Sequence, residues 1–198
     1  FIKSLYIHGR FIFNNLEYGI ARANHYLSDI VGLYSLSLVL PKTGETKLWK
    51  IRCESSIKQE MKYQVNEDGV HFEASICYHK LALELFTLAY ILSIKNKISL
   101  GEVFEEKLEK MFSFFSKCLG PDNKLYQIGD SDDGEILDFY SKDSNRSLLG
   151  IGAILFNNPK LKIKSVYGPD SFWLCGIRGK EIFTSLKKSN LRFKSLAF

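Results

Sequence analysis

No CxxC pair and no Cys/His ligand spacing occurs anywhere in the 198 residues; the four cysteines, Cys53, Cys77, Cys118 and Cys175, stand singly and far apart. That argues against a zinc knuckle or a dense disulfide scaffold and points to buried free thiols, with no bound metal expected. No apolar run reaches the roughly 20 residues a bilayer-spanning helix needs. The longest, Ile30 to Leu40 and Leu81 to Leu92, fall short, and the second carries Glu84. A membrane partner is therefore not expected. Nor is nucleic acid, because no dense Lys/Arg run is interleaved with aromatics. The chain opens Phe-Ile-Lys, with neither Met nor a signal-peptide pattern, and reads as a cut from a longer protein whose localisation these residues do not reveal. Period-2 alternation is almost absent as well, which leaves little room for a sheet.

What is present is a composition 45% hydrophobic, enough for a core and incompatible with a disordered chain. The net charge of +5 is unevenly spread. Residues 101–150 hold 6 basic and 11 acidic side chains, whereas 151–198 hold 9 basic and 2 acidic. The basic C-terminal quarter suits a polyanionic ligand or an acidic neighbouring surface, and equally a solvated basic face.

Helical periodicity runs through nearly the whole chain. Leu5 to Leu16 places Leu5, Ile12, Phe13 and Leu16 on one stripe. Asn24 to Leu40 repeats the pattern until Pro41 stops it. Leu48 to Val65 is amphipathic and is followed by an Asp68-Gly69 turn. Ser75 caps a nearly all-apolar helix running to about Ser93, and Gly101-Glu102 opens another from Val103 to Cys118. A polar segment from Asp122 to Asn145 precedes shorter helical patterns at Leu148 to Phe156 and Ser171 to Ile177. The tail from Leu191 to Phe198 alternates like a strand. The fold class predicted is all-α, built of successive antiparallel helical hairpins of the kind that make an incomplete (α/α) toroid. Residues 1–190 form the partial toroid, and 191–198 are a linker or first strand toward an absent domain.

Three polar constellations stand out. Arg22-Ala-Asn24-His25 opens a greasy helix, where Asn24 could be merely its cap. Between Asp68 and His79, the residues His71, Glu73, Ser75, Tyr78 and His79 crowd ahead of a buried helix, although capping would need Ser75 alone. Gln127 to Gly134 carries Asp130 and Asp132, alternating as in a calcium loop but without the later Glu of an EF-hand. A solvated loop or an Asx-turn accounts for it as well.

These residues carry a family resemblance in order along the chain. Asn24-His25-Tyr26-Leu27, Gly32-Leu33, Pro41, Trp49, Glu60, Gln64, Asp68-Gly69, Glu73, Ser75, Tyr78-His79 and Ile128-Gly129-Asp130-Ser131-Asp132 resemble the helical domain of heparinase II/III-like polysaccharide lyases. Arg146-Ser-Leu-Leu-Gly-Ile-Gly-Ala and Trp173-Leu-Cys-Gly resemble its later helices. That family includes heparin, heparan sulfate and alginate lyases, and pairs an N-terminal toroid with a C-terminal antiparallel β-sandwich. The resemblance implies a carbon–oxygen lyase without a cofactor, periplasmic or secreted with a cytoplasmic location left open, acting on an anionic, uronic-acid-containing polysaccharide. It also implies a missing β-sandwich partner domain, which in many members contributes a further histidine; the isolated piece is then inactive.

β-Elimination removes the C5 proton of a uronate and builds a second negative charge on its carboxyl group. Fixed donors stabilise such an enolate, and the resemblance gives that role to Asn24 and His25. It gives proton transfer to Tyr78, whose phenol normally ionises near pH ~10 and needs neighbouring positive charge or donors to act as a base. Syn elimination would use Tyr78 twice; anti elimination would pair it with a histidine such as His25. Glu73, His79 and Arg22 are the substrate-binding candidates, and Asp130 with Asp132 mark a rim loop. The catalytic trio Asn24, His25 and Tyr78 is expected on one concave surface. Two alternatives stay open: a toroid glycoside hydrolase pairing Glu73 with Asp130 or Asp132, and a non-catalytic glycan-binding or surface-polysaccharide assembly protein.

Overall fold

Local signals in the sequence set most helix ends. Thr43 accepts from the backbone N–H of Thr46, and the Thr46 hydroxyl accepts from the N–H of Thr43, a reciprocal cap that starts a helix at Gly44. Ser75 Oγ accepts from the N–H of Tyr78 and starts the apolar helix at Ile76, as expected. In the computed structural model, which describes residues 1–19, 22–131, 134–137 and 143–187, every regular element is helical. The isolated bridges Val65–His71 and Leu119–Leu125 are the nearest approach to a sheet among these residues. The tail from Leu191, read as a strand, lies outside the described residues.

The chain divides into two units. The first, Phe1–Gly120 with Leu125–Ile136, holds α1 (Ile2–Asn14), α2 (Asn24–Val39), α3 (Gly44–Gln64), α4 (Ile76–Lys95) and α5 (Glu102–Cys118). Side-chain contacts give the helix directions. Tyr6 of α1 meets Glu45 at the start of α3, and Phe13 meets Trp49 one turn on. At the other end of the pair α2–α3, Gln64 reaches Ala23. Tyr34 of α2 meets Ser93 late in α4, and His79 early in α4 meets Met111 late in α5. The helices from α2 to α5 therefore alternate in direction, so that α2 and α4 run the same way and begin at the end where α3 finishes.

The core of this unit is aromatic and aliphatic. Trp49, Tyr34, Phe86, Phe112 and Phe115 are fully buried with Leu27, Leu33, Ile57, Met61 and Leu83. Trp49 lies in the groove of α1 at Gly9, where a Cβ would come within 2.5 Å of its ring. Deleting that ring leaves a large cavity. Trp49→Ala is expected to destabilise the fold by about 3–5 kcal/mol, read as a lower denaturant midpoint at unchanged slope.

Helix α4 reaches 20 residues and, by length and composition alone, could cross a membrane. The apolar run at its centre is shorter; capping at Ser75 and continuation to Lys95 lengthen the helix beyond it. Its apolar surface is nevertheless spent on the core, with Leu83, Leu85, Phe86 and Ala89 buried. Lys80 and Glu84, an ion pair at 3.1 Å, are buried on it as well.

The second unit holds α6 (Ser144–Leu155), α7 (Pro159–Lys162) and α8 (Pro169–Ser185). Gly150 of α6 lets the chain at Val166 approach so closely that a Cβ would sit 2.2 Å from the Val166 carbonyl oxygen. Ser171 Oγ donates to the Ser147 carbonyl between α8 and α6. α8 extends well past the Ser171 to Ile177 pattern, because it turns at Gly176 (φ 63°) and resumes.

Candidate functional site

The end of the first unit where α2 and α4 begin gathers most of the residues singled out by sequence. Asn24 is the first residue of α2 and is buried. It is not the cap that its position suggested: Ala23 holds that place, with no side-chain bond to offer. The acceptor comes instead from Glu73, 49 residues away, whose Oε1 takes the Asn24 backbone N–H at 3.2 Å. The Asn24 Nδ2 donates to both Glu73 oxygens, at 3.2 and 3.1 Å. Because a carboxylate only accepts, the orientation of the Asn24 amide follows from this contact.

His25, next in sequence, goes elsewhere. It is exposed, and its Nδ1 lies 2.9 Å from Glu17 Oε2. With Glu17, Tyr18, Gly19, Ala23 and Tyr26 it lines an open depression of about 470 Å³. Neighbours at the start of one helix point about 100° apart, so Asn24 and His25 serve different surroundings. Tyr78 is half-buried in the first turn of α4, at the same end of the unit as Asn24.

Beneath these residues runs a buried polar chain. Arg22 lies 3.0 Å from Glu60 Oε1 and stacks over the rings of Tyr63 (4.4 Å) and Tyr18 (5.3 Å). Glu60 Oε2 accepts from Gln64 Nε2 at 3.0 Å. Burial raises the Glu60 carboxyl above the usual range, while the Gln64 bond and the Arg22 charge oppose that rise. Gln64 Nε2 also donates to the Ala23 carbonyl at 3.3 Å, which leaves Gln64 Oε1 to accept from His71 Nε2 at 3.1 Å. The backbone N–H of His71 donates to His79 Nδ1 at 3.3 Å, so the His79 proton sits on Nε2 and donates to the Met111 carbonyl at 3.2 Å.

Both rings are neutral for a physical reason. Desolvation pushes His71 down to about 3, with the neighbouring His79 adding to it. Desolvation pushes His79 down to about 4 against the Met111 bond. His71 Nδ1 has no partner among the described residues. His79, read as a substrate-binding candidate, is thus buried and packed edge-on to Phe114 at 4.9 Å, and the guanidinium of Arg22 is held by Glu60.

The rim loop covers the start of α4. The Ile128 carbonyl accepts from the N–H of Ile76 at 3.1 Å, and Ser75 Oγ donates to the Asp130 carbonyl. Gly129 (φ 79°) passes so close to Ser75 that a Cβ would lie 2.9 Å from its Cα, so only glycine fits. Further on, Lys80 pairs with Glu135, and Glu84 Oε2 accepts from the N–H of Ile136 at 2.7 Å. Asp130 is exposed, and Asp132 lies outside the described residues. Among the described residues no three His, Cys, Asp or Glu side chains are grouped to hold a metal ion.

Sequence reasoning did not assign roles to Glu60, Gln64 and His71. Glu60 and Gln64 stood only within the family resemblance and His71 only within the polar cluster ahead of α4, and neither signal says with whom each will pair.

No curated protein and no solved structure matches this chain. The family model of the heparinase II/III N-terminus matches residues 1–146, which takes in Asn24, Glu73, Tyr78 and the rim loop. With that match across well over half its length, and most of the ordered motif set lying within it, the chain belongs to the heparinase II/III family.

Proposed function

We propose that this chain supplies the helical part of a polysaccharide lyase that cleaves uronic-acid-containing polysaccharide by β-elimination. The observation that carries the reading is the pairing of Asn24 with Glu73 at the end of the first unit where α4 presents Tyr78. Asn24 offers a rigid, partly desolvated donor for the uronate carboxyl as C5 loses its proton, where fixed dipoles stabilise developing charge best. Tyr78 transfers the proton, taking it from C5 and returning one to the glycosidic oxygen in a syn path. His25, exposed beside its open depression, contributes to substrate binding or to an anti path. The rim loop caps α4, and its Asp130 is exposed at the same end of the unit.

Family membership supports a lyase at the coarse level. A hydrolase would need a pair of free carboxylates, and Glu73 already has both oxygens engaged by Asn24. The test is the product. Incubation of the full-length protein carrying this chain with heparan sulfate, alginate and other uronate polymers is expected to release an unsaturated uronate that absorbs in the ultraviolet. New reducing ends without that absorbance would establish hydrolysis instead; binding with neither would leave a glycan-binding protein.

A further inference from the structure

We propose that Glu73 is a positioning residue for Asn24, and that it acts by fixing which atoms of the Asn24 carboxamide face the substrate. This rests on the lyase reading above.

Glu73 Oε1 accepts from the Asn24 backbone N–H at 3.2 Å and from Nδ2 at 3.2 Å, and Oε2 accepts from Nδ2 at 3.1 Å. The two oxygens of one carboxylate lie much closer together than the two N–H bonds of an amide diverge. One N–H of Asn24 therefore serves both oxygens, and the second N–H is left for another acceptor. A carboxylate in this position also forbids the flipped amide, because Oδ1 would then face two acceptor oxygens. The flipped amide would turn Oδ1 toward the uronate and repel the charge that builds there. The N–H donor is thus held in place before the reaction, which is where such donors gain their effect.

Two further contacts fit this role. Ala23 gives α2 no side-chain cap, so Glu73 also supplies the acceptor that holds the helix start in place. From the other side, Gln64 Nε2 donates to the Ala23 carbonyl at 3.3 Å. The backbone at Asn24 is clamped from the α3 end and from the α3–α4 connection together. A direct grip of Glu73 on a uronate carboxylate would instead set two anions against each other.

The experiment is a double-mutant cycle in the full-length protein, reading unsaturated product. Glu73→Gln places an amide opposite Asn24 that can pair with it in either orientation. It is expected to lower kcat by roughly 10- to 100-fold, no more than loss of the Asn24 donor itself, with KM little changed. In an Asn24→Ala background the same substitution is expected to change nothing. If Glu73→Gln fails to fold, Glu73→Asp, which keeps the charge and shortens the reach, enters the same cycle. Wild-type kcat in the single Glu73 variant while Asn24→Ala is impaired overturns the proposal and leaves the lyase reading intact. So does an equal loss in both backgrounds, which means that Glu73 acts by itself. A wild-type protein that forms no unsaturated product from any uronate polymer removes the lyase reading and this proposal with it.

Discussion

Tyr78→Phe in the full-length protein is expected to lower the rate of elimination by roughly 10²–10⁴-fold, the range contributed by a positioned acid–base group. The substitution removes one oxygen and keeps the ring. Tyr78 sits in the first turn of α4, where its backbone N–H is held by Ser75 Oγ at 3.3 Å, a contact the change does not touch. The melting temperature of the variant, measured alongside, separates a loss of chemistry from a loss of folding. Asn24→Ala should cost on the order of 10²–10³ in turnover if its amide acts as an oxyanion-type donor. The double variant should lose far less than the product of the two, because both groups act on the same enolate-forming step. Initial rates from ultraviolet absorbance for the wild type and the three variants decide the matter. Wild-type turnover in Tyr78→Phe would take Tyr78 out of the mechanism.

Acid is expected to unfold the first unit through His71 and His79. Both rings are neutral in the folded state, held down to about 3 and about 4 by burial, against an ordinary value of 6.5. The unfolded chain binds protons at these positions as pH falls through 6.5, and the folded chain does not until much lower. Their contribution is therefore complete above pH 6.5 and is lost progressively as pH falls toward 4. Lowering a pKa tenfold in proton affinity corresponds to about 1.4 kcal/mol, so the two rings together weaken the fold by several kcal/mol, on an order-of-magnitude scale, across that window. Denaturant unfolding at intervals from about pH 8 to about pH 4 measures the slope. A His71→Gln/His79→Gln variant should show a visibly flatter profile than wild type between pH 6.5 and 4. Identical slopes would mean that the rings are protonated in the folded protein.

Much of the first unit was legible in the residues. The Ser75 cap, the stop at Pro41 and the stretch from Val103 to Cys118 each became a helix end or a helix within a residue or two of the expected place. Helix starts were misplaced where the signal was less familiar. α3 begins at Gly44, not Leu48, because Thr43 and Thr46 cap each other, and α1 begins and ends earlier than its apolar stripe. α7 went unread because four residues opening on a Pro are too few to show periodicity.

Asn24 marks the boundary between the two kinds of information. From the sequence alone it could be placed at the start of a helix and, by family likeness, in a catalytic role. Helical periodicity is local, so contacts within about four residues settle it. Its partner could not be read, since Glu73 lies 49 residues away and reaches it only because α2 and α4 pack side by side from the same end. For the same reason sequence neighbours parted company, Asn24 turning to Glu73 and His25 to Glu17. Tertiary packing alone decided which polar side chains were desolvated. Glu60, Gln64, His71 and His79 are buried as a hydrogen-bonded chain because an unpaired polar group in the core is costly, and the packing of α2 to α5 brings their partners within reach.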